Sequence, residues 1–278
     1  MIKRNGIEIK TAQAPNIVAA KDTLNILKNK NYLVKDKIID ISVALDNSIK
    51  NTKLYLPEDC FNSKNNLIKP TIEVTNETTT SAGLRLLNSG LENIVALNFA
   101  SARNVGGGFL AGAVAQEEDL CRCSGLYLCI KSKPIFYNKN ILCDDTFYTN
   151  HIIYSPNVPF FRNDNLDLLE EIFHISIISA PAPNVRAMEN VDEDNLRSIL
   201  EIRAARILQI AIENNHENII LGAWGCGAFG NDSKMIIEVF QKVLNRYPHF
   251  KHVCFAVFDN KINAPIFNAF KEAFENNE

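Results

Sequence analysis

Three consecutive glycines, Gly106-Gly107-Gly108, are followed after seven residues by Gln116-Glu117-Glu118. Successive glycines let a backbone approach a ligand closely and take positive φ. A helix beginning at Gln116 offers free N–H groups, which favour phosphate. Two neighbouring carboxylates beside such a loop suit acid–base work on something phosphorylated. A blander use fits the same residues. A flexible loop could simply run into a helix whose first-turn acids complement its dipole.

A second glycine-rich stretch comes late in the chain: Gly222-Ala223-Trp224-Gly225-Cys226-Gly227-Ala228-Phe229-Gly230-Asn231-Asp232. The two stretches hold eight of the twelve glycines, a concentration that ordinary turns would not produce. In open α/β sheets, ligands bind beyond the carboxyl ends of the strands. Two glycine loops at such ends can grip one diphosphate from both sides through backbone N–H groups. Neither is a Walker A loop, because no Gly-Lys-Ser/Thr follows, and neither has dinucleotide-turn spacing at a strand end. Tight packing of helix on sheet is the alternative use of these glycines.

The elements that must position these residues are legible from periodicity. Ile94-Val95-Ala96-Leu97 reads as the strand feeding the first loop, and Asn218–Leu221 as the strand feeding the second. Thr71–Thr75 alternates as a strand, with Asn76 as N-cap of a helix over Glu77–Asn88 that Gly90 ends. Ala82, Leu84 and Leu87 are expected to face the core. Ile17–Lys28 and Asp192–Asn214 hold a helical period. Ile38–Ile41 reads as a strand, Val43–Ile49 as a short helix, and Leu56–Lys69 as polar loop. Pro134–Thr149 reads as irregular surface loop. His151–Ser155 and Phe173–Ser179 read as strands, the second stopped by Pro181 and Pro183. Ser233–Asn245, capped by Asp232, then His252–Phe258 and Asn263–Phe274 complete a helix, strand and helix. Strands alternating with helices predict an α/β layer fold with a mostly parallel sheet and helices on both faces. No linker-like shift in composition and no internal repeat appears.

Bulk composition excludes several classes. The formal charge is −3, which gives no general attraction to nucleic acid or anionic membrane. A phosphate ligand therefore needs a local site. No apolar run approaches transmembrane length, and Met1 to Gly6 lacks the apolar core of a secretory signal. Seven scattered cysteines point to a reducing, cytoplasmic setting. Cys121-x-Cys123 lacks a second pair, so no metal site and no cofactor is expected. Of the remaining polar residues, Asn98 suits either a strand-end backbone pair or a ligand contact. Asn104, beside the glycines, suits a ribose hydroxyl, and Arg103 suits a ligand contact or a structural ion pair equally. Asn184 and Arg186 fit a site wall or a solvated loop equally. Phe160-Phe161-Arg162 reads as core edge, and Trp224 as packing beneath its loop.

The triple glycine, its spacing to Gln116-Glu117-Glu118, the flanking Asn98–Val105 and Leu120-Cys121-Arg122, and Gly222–Asn231 together resemble the signature of microbial-type poly(ADP-ribose) glycohydrolases. The resemblance spans roughly Ile17 to Phe258. It implies a macrodomain-like, three-layer α/β/α fold with a mixed sheet and an N-terminal helical extension. We accordingly expect an extension over residues 1–70 packed on a catalytic core over 71–278. It implies hydrolysis of the O-glycosidic bond between ADP-ribose units, with Glu118 as catalytic acid and Glu117 bonded to the hydroxyls of the released ribose. Gln116 and Asn104 would join the substrate contacts. Gly106, Gly107 and Gly108, with Gly225, Cys226, Gly227, Ala228 and Phe229, would hold the diphosphate, Phe229 packing over the distal ribose. The ligand expected is ADP-ribose or poly(ADP-ribose), on a modified protein or nucleic acid, handled by a monomer.

The chemistry is self-consistent. Cleaving a ribosyl bond requires a proton for the leaving oxygen and water at the anomeric carbon. Neighbouring residues in a helix point about a quarter-turn apart. Glu117 and Glu118 therefore cannot flank the bond, but they can share one side of the sugar. Two other functions use the same pocket: a mono-ADP-ribosyl hydrolase, and a reader that binds ADP-ribose without cleaving it. A reader has no need of a buried acid pair.

Overall fold

The computed structural model describes residues 2–4, 7–9, 13–61 and 68–275. A short antiparallel pair, β1 (Ile2–Arg4) and β2 (Ile7–Ile9), precedes helix α1 (Gln13–Asn29). A hairpin of β3 (Asn31–Val34) and β4 (Lys37–Asp40) leads to α2 (Ser42–Asn51) and strand β5 (Lys53–Tyr55). There follow β6 (Thr71–Thr75), α3 (Thr79–Asn88), β7 (Ile94–Phe99), α4 (Gln116–Cys123), α5 (Leu126–Lys131) and α6 (Pro134–Ile141). The chain continues through β8 (Ile152–Arg162), β9 (Leu168–Ala180), α7 (Glu193–Glu213), β10 (Asn218–Leu221), α8 (Ser233–Arg246), β11 (His252–Ala256) and α9 (Pro265–Glu275).

Seven strands form one mixed sheet in the order β5-β8-β9-β7-β10-β11-β6. Every pair from β9 to β6 is parallel, whereas β8 runs against both β5 and β9. Alternation along the central strands builds two cores. Val95, Leu97, Ile219, Leu221, Val253 and Phe255 pack beneath α7, α8 and α9. Ile94, Ala96, Ile220 and Cys254 pack with residues of α1, α3, α4, α5 and α6 on the other face. A strand covered on both faces must be apolar at every position, and Asn98 is the polar exception on β7. No described helix is long and apolar enough to cross a membrane.

Several expectations are corrected. Thr78, not Asn76, caps α3, its side chain accepting the Ser81 N–H at 3.1 Å. Asn76 is instead tied to the Asp259 backbone, accepting its N–H and donating to its carbonyl. On α3, Leu86 is sealed in the core with Ala82, while Leu84 and Leu87 are half-buried. The segment expected as irregular from Pro134 contains α6, with Pro134 in its first turn and Phe136 and Tyr137 buried. Strands β8 and β9 form a hairpin much longer than the alternation suggested. Pro156 lies where the register slips between Ser155 and Val158, and such bulges accommodate proline inside a strand. Strand β5, within the stretch read as extension, is the edge of the main sheet. Of the expected loop from Leu56 to Lys69, residues 62–67 lie outside the described residues, and the remainder carries no helix or strand. Asp232 caps α8 and Gly90 ends α3 as expected, while Asp192, read as the first residue of its helix, is the N-cap of α7.

Candidate active site

Helix α4 starts beside the carboxyl end of β7, and Gln116 sets that contact. Its amide donates to the Leu97 carbonyl at 2.7 Å and to Thr79 Oγ1 at 3.0 Å, and accepts the Phe99 N–H at 2.8 Å. These bonds engage both ends of the amide, so Gln116 fixes where the acidic turn begins. The other side of α4 is held by α1. Thr23 donates to the Arg122 carbonyl at 2.7 Å, and Asp22 pairs with the buried Arg162. Phe160 and Phe161 are sealed in the core beside it.

The two glutamates that follow are buried, Glu117 at 3% and Glu118 at 8% exposure. Glu117 accepts the Ser101 N–H at 2.8 Å on Oε2 and the Asn98 amide at 3.2 Å on Oε1. Asn98 also donates to Ser179 Oγ at 3.0 Å, which ties the carboxyl to β9. Burial pushes the Glu117 pKa up to about 8 and outweighs the two donors, with the nearby Glu118 charge adding to the rise. Glu118 accepts the Gly108 N–H at 2.7 Å on Oε1. Its Oε2 takes no hydrogen bond among the described residues.

Gly107 explains the triple glycine. Its φ is +58°, and a β-carbon there would lie 2.3 Å from Glu118 Oε1 and 3.1 Å from Glu117 Oε2. Both carboxyl groups therefore converge on the backbone of this residue, and any side chain would displace them. The expected quarter-turn between helical neighbours does not keep the two carboxyl groups from reaching this one residue.

The second loop leaves β10, the parallel neighbour of β7. Trp224 is fully buried beneath it, its indole donating to the Ala180 carbonyl at 3.0 Å. Asn231 clamps the loop from inside, donating to the carbonyls of Pro183 at 2.8 Å and Gly225 at 3.2 Å. Gly225 has φ +77° and no room for a β-carbon, which would meet Ala182 at 2.5 Å. Trp224, Cys226, Gly230 and Asn231 use their N–H groups within the loop or on its neighbours. Those of Gly225, Gly227, Ala228 and Phe229 find no acceptor among the described residues, nor do those of Val105 and Gly106 in the first loop. The Cys226 thiol is pushed up to about 12 by burial, so it stays neutral.

The remaining predicted residues scatter around the rim. Asn104 is exposed beside the first loop, its N–H bonded to Ser101 Oγ at 3.1 Å. Arg103 makes no ion pair among the described residues. It donates to the Cys143 carbonyl at 3.1 Å and lies over the Tyr148 ring. Arg186 accompanies the second loop, donating through its backbone to Phe229 at 3.0 Å, while Asn184 is bonded to Thr146. Sequence reasoning missed Ser101, Ser179, Tyr148 and Arg203. Only Ser101, inside the run leading to the glycines, lay where a signal existed. Among the described residues no group of three or more His, Cys, Asp or Glu gathers as a metal site.

The chain matches the family described as microbial-type PARG, catalytic domain, over residues 20–163. It is similar to the crystal structure of poly(ADP-ribose) glycohydrolase (PARG) from Thermomonospora curvata, at 37% identity and TM-score 0.89, over 94% of this chain and 99% of that one. The same Thermomonospora curvata enzyme bound to the inhibitor ADP-HPD matches at 38% identity and TM-score 0.87, over 94% and 99% of the two chains. The Deinococcus radiodurans poly(ADP-ribose) glycohydrolase in complex with ADP-ribose matches at 39% identity and TM-score 0.76, over 84% of this chain and 98% of that one. No curated protein sequence matches significantly. With the family matched over half the chain and solved relatives of this identity covering most of it, the chain belongs to the microbial-type poly(ADP-ribose) glycohydrolases and is a glycosyl hydrolase.

Proposed function

We propose that this protein hydrolyses the ribose–ribose O-glycosidic bond of poly(ADP-ribose) from the chain end, releasing ADP-ribose, with Glu118 as the acid. The observation that carries the reading is the Glu118 carboxyl. It is almost buried, one oxygen is fixed by the Gly108 N–H, and the other takes no partner among the described residues. Glu118 Oε2 gives a proton to the leaving oxygen as the bond from the anomeric carbon breaks. Positive charge develops on the ribose, where the ligand's own diphosphate helps to offset it. Water then attacks the anomeric carbon and returns a proton to Glu118. Glu117, braced by Asn98 and Ser101, meets the ribose hydroxyls. The unused N–H groups of Val105 and Gly106 and of Gly225, Gly227, Ala228 and Phe229 suit a diphosphate between the loops. Asn104 stands at the ribose edge of this cradle, and Phe229 packs over the distal sugar.

The same reading treats the fold as macrodomain-like, with residues 1–70 an extension packed on a core of 71–278. The protein would act as a cytoplasmic monomer on ADP-ribosylated protein or nucleic acid. Its seven cysteines are all free thiols, which suits a reducing compartment. Glu118→Gln is the direct test. General acid–base help typically contributes about 10²–10⁴-fold. Release of ADP-ribose from poly(ADP-ribose) should therefore fall by at least about 100-fold, with ADP-ribose binding retained by calorimetry. An active Glu118→Gln protein would sink the assignment.

A further inference from the structure

Tyr148 stands between the two glycine loops, and nothing in the acid–base arrangement uses it. Its φ is +61°, a left-handed conformation that a residue with a large side chain adopts only where the surroundings impose it. Here Arg203 imposes it. This arginine is fully buried and forms no salt bridge among the described residues, Asp145 acting on it through charge alone. Its guanidinium donates to the carbonyls of Pro181 at 2.6 Å, Phe147 at 3.0 Å and Tyr148 at 3.4 Å, and to Asn150 Oδ1 at 3.1 Å. The peptide groups on either side of the Tyr148 α-carbon are thereby held to the body of the protein.

The result is an ordered stack across the mouth of the site. The Arg103 guanidinium lies 5.5 Å from the Tyr148 ring centroid, and the Phe229 ring 6.1 Å from it at a tilt of 50°. Arg103 comes from the first loop, two residues after Ser101, whose N–H holds Glu117. The stack therefore begins beside the reacting carboxyls. Tyr148 is half-exposed and Arg103 exposed. Arg103 gives one hydrogen bond to the Cys143 carbonyl and has further N–H groups to offer. Asp144 and Asp145, the acids closest in sequence to Tyr148, form no ion pair with it, and Asp145 accepts the Phe147 N–H instead. Arg186, the other rim arginine, is bonded to the Gly227 carbonyl and belongs to the inner loop.

An accessible aromatic ring beside an unpaired guanidinium recognises a flat base with a nearby phosphate. One ADP-ribose fills the cradle between the glycine loops, but a polymer continues past the cleaved bond with another base and diphosphate. Resting on the glycohydrolase reading, we propose that Tyr148 and Arg103 form a subsite for the base and phosphate of the ADP-ribose unit on the leaving side. This subsite makes the enzyme prefer polymer over a singly modified target. Arg203 is the positioning residue that holds it ready.

The test compares wild type with Tyr148→Ala, Tyr148→Phe and Arg103→Gln. ADP-ribose release is measured from poly(ADP-ribose) and from mono-ADP-ribosylated protein, with calorimetry on free ADP-ribose. Base stacking on an aromatic predicts a rise of about 5- to 50-fold in KM for polymer in Tyr148→Ala, rescued by Phe, with kcat little changed. Arg103→Gln should lower the slope of log KM against log salt by about one. The affinity for free ADP-ribose should hold in all three. An unchanged polymer KM overturns the subsite. So does a loss of ADP-ribose affinity that matches the rise in KM, which would place the ring in the terminal-unit pocket. Failure of wild type to release ADP-ribose from polymer would be a failure of the glycohydrolase reading. The subsite is then judged by binding of short poly(ADP-ribose) chains to Glu118→Gln protein. That affinity must drop about 5-fold or more when Tyr148→Ala is added, or the proposal is wrong.

Discussion

Replacing Glu117 by glutamine should change how stability depends on pH, by an amount the structure sets. The Glu117 pKa is raised from 4.5 to about 8, because burial disfavours the charged form more than Ser101 and Asn98 favour it. A carboxyl whose pKa rises on folding stabilises the fold while protonated. That contribution is complete below about pH 4.5, falls by about 1.4 kcal/mol per pH unit, and is gone above about pH 8. The full span is on the order of 5 kcal/mol, a large fraction of a typical domain's stability. Glutamine imitates the protonated form at every pH. Its oxygen can keep the Ser101 N–H, and its amide can face Asn98. The Asn98 Oδ1 is buried without a partner among the described residues, and a half-turn of that side chain would present it to the new donor. The substitution itself should therefore cost about 1 kcal/mol or less, constant with pH. Urea unfolding of both proteins at intervals from pH 5 to 9 gives the comparison, and titrating groups that do not interact with Glu117 cancel in the difference. The variant should gain on wild type steadily with rising pH and be the more stable protein by pH 9. Parallel stability curves across that range would refute the claim that burial holds this carboxyl neutral.

Three further outcomes follow from the same geometry. Affinity for ADP-ribose should weaken as pH rises through about 8, because ionised Glu117 adds negative charge beside a diphosphate; Glu117→Gln should flatten that calorimetric profile. Gly107→Ala should eliminate activity in a folded protein. Its β-carbon would fall 2.3 Å from Glu118 Oε1 at φ +58°, costing roughly 1–2 kcal/mol in backbone strain as well; ADP-ribose release near the wild-type rate would contradict the packing. Thr23→Val removes the buried bond from α1 to the Arg122 carbonyl and should lower stability by about 1–2 kcal/mol in chemical denaturation. No change there would mean that α1 does not brace the catalytic helix through this bond.

Local chemistry determined a large part of this protein from sequence alone. Alternation marked Thr71–Thr75, and a short apolar run marked Asn218–Leu221, with their observed limits. Asp232 announced its helix because a carboxylate that accepts a first-turn N–H acts over three residues. The glycine loops and the acidic turn were visible because close backbone approach and chemistry confine residue choice within one short segment. Tertiary structure decided the rest, since the partners lie far apart in the chain. Asn98 holds Glu117 only because Ser179, 81 residues later, comes beside it on the neighbouring strand. Helix α6 was hidden because Ile135 and Ile141 face outward while Asn140 is buried, and only the core that seals Phe136 revealed it. The strand legible over His151–Ser155 continues to Arg162 as β8 only because pairing with β9 places Pro156 at a bulge. Tyr148 carries no local sign of its strained backbone. That conformation exists because Arg203, 55 residues away, is buried with only the carbonyls and the Asn150 oxygen that the surrounding chain offers its donors.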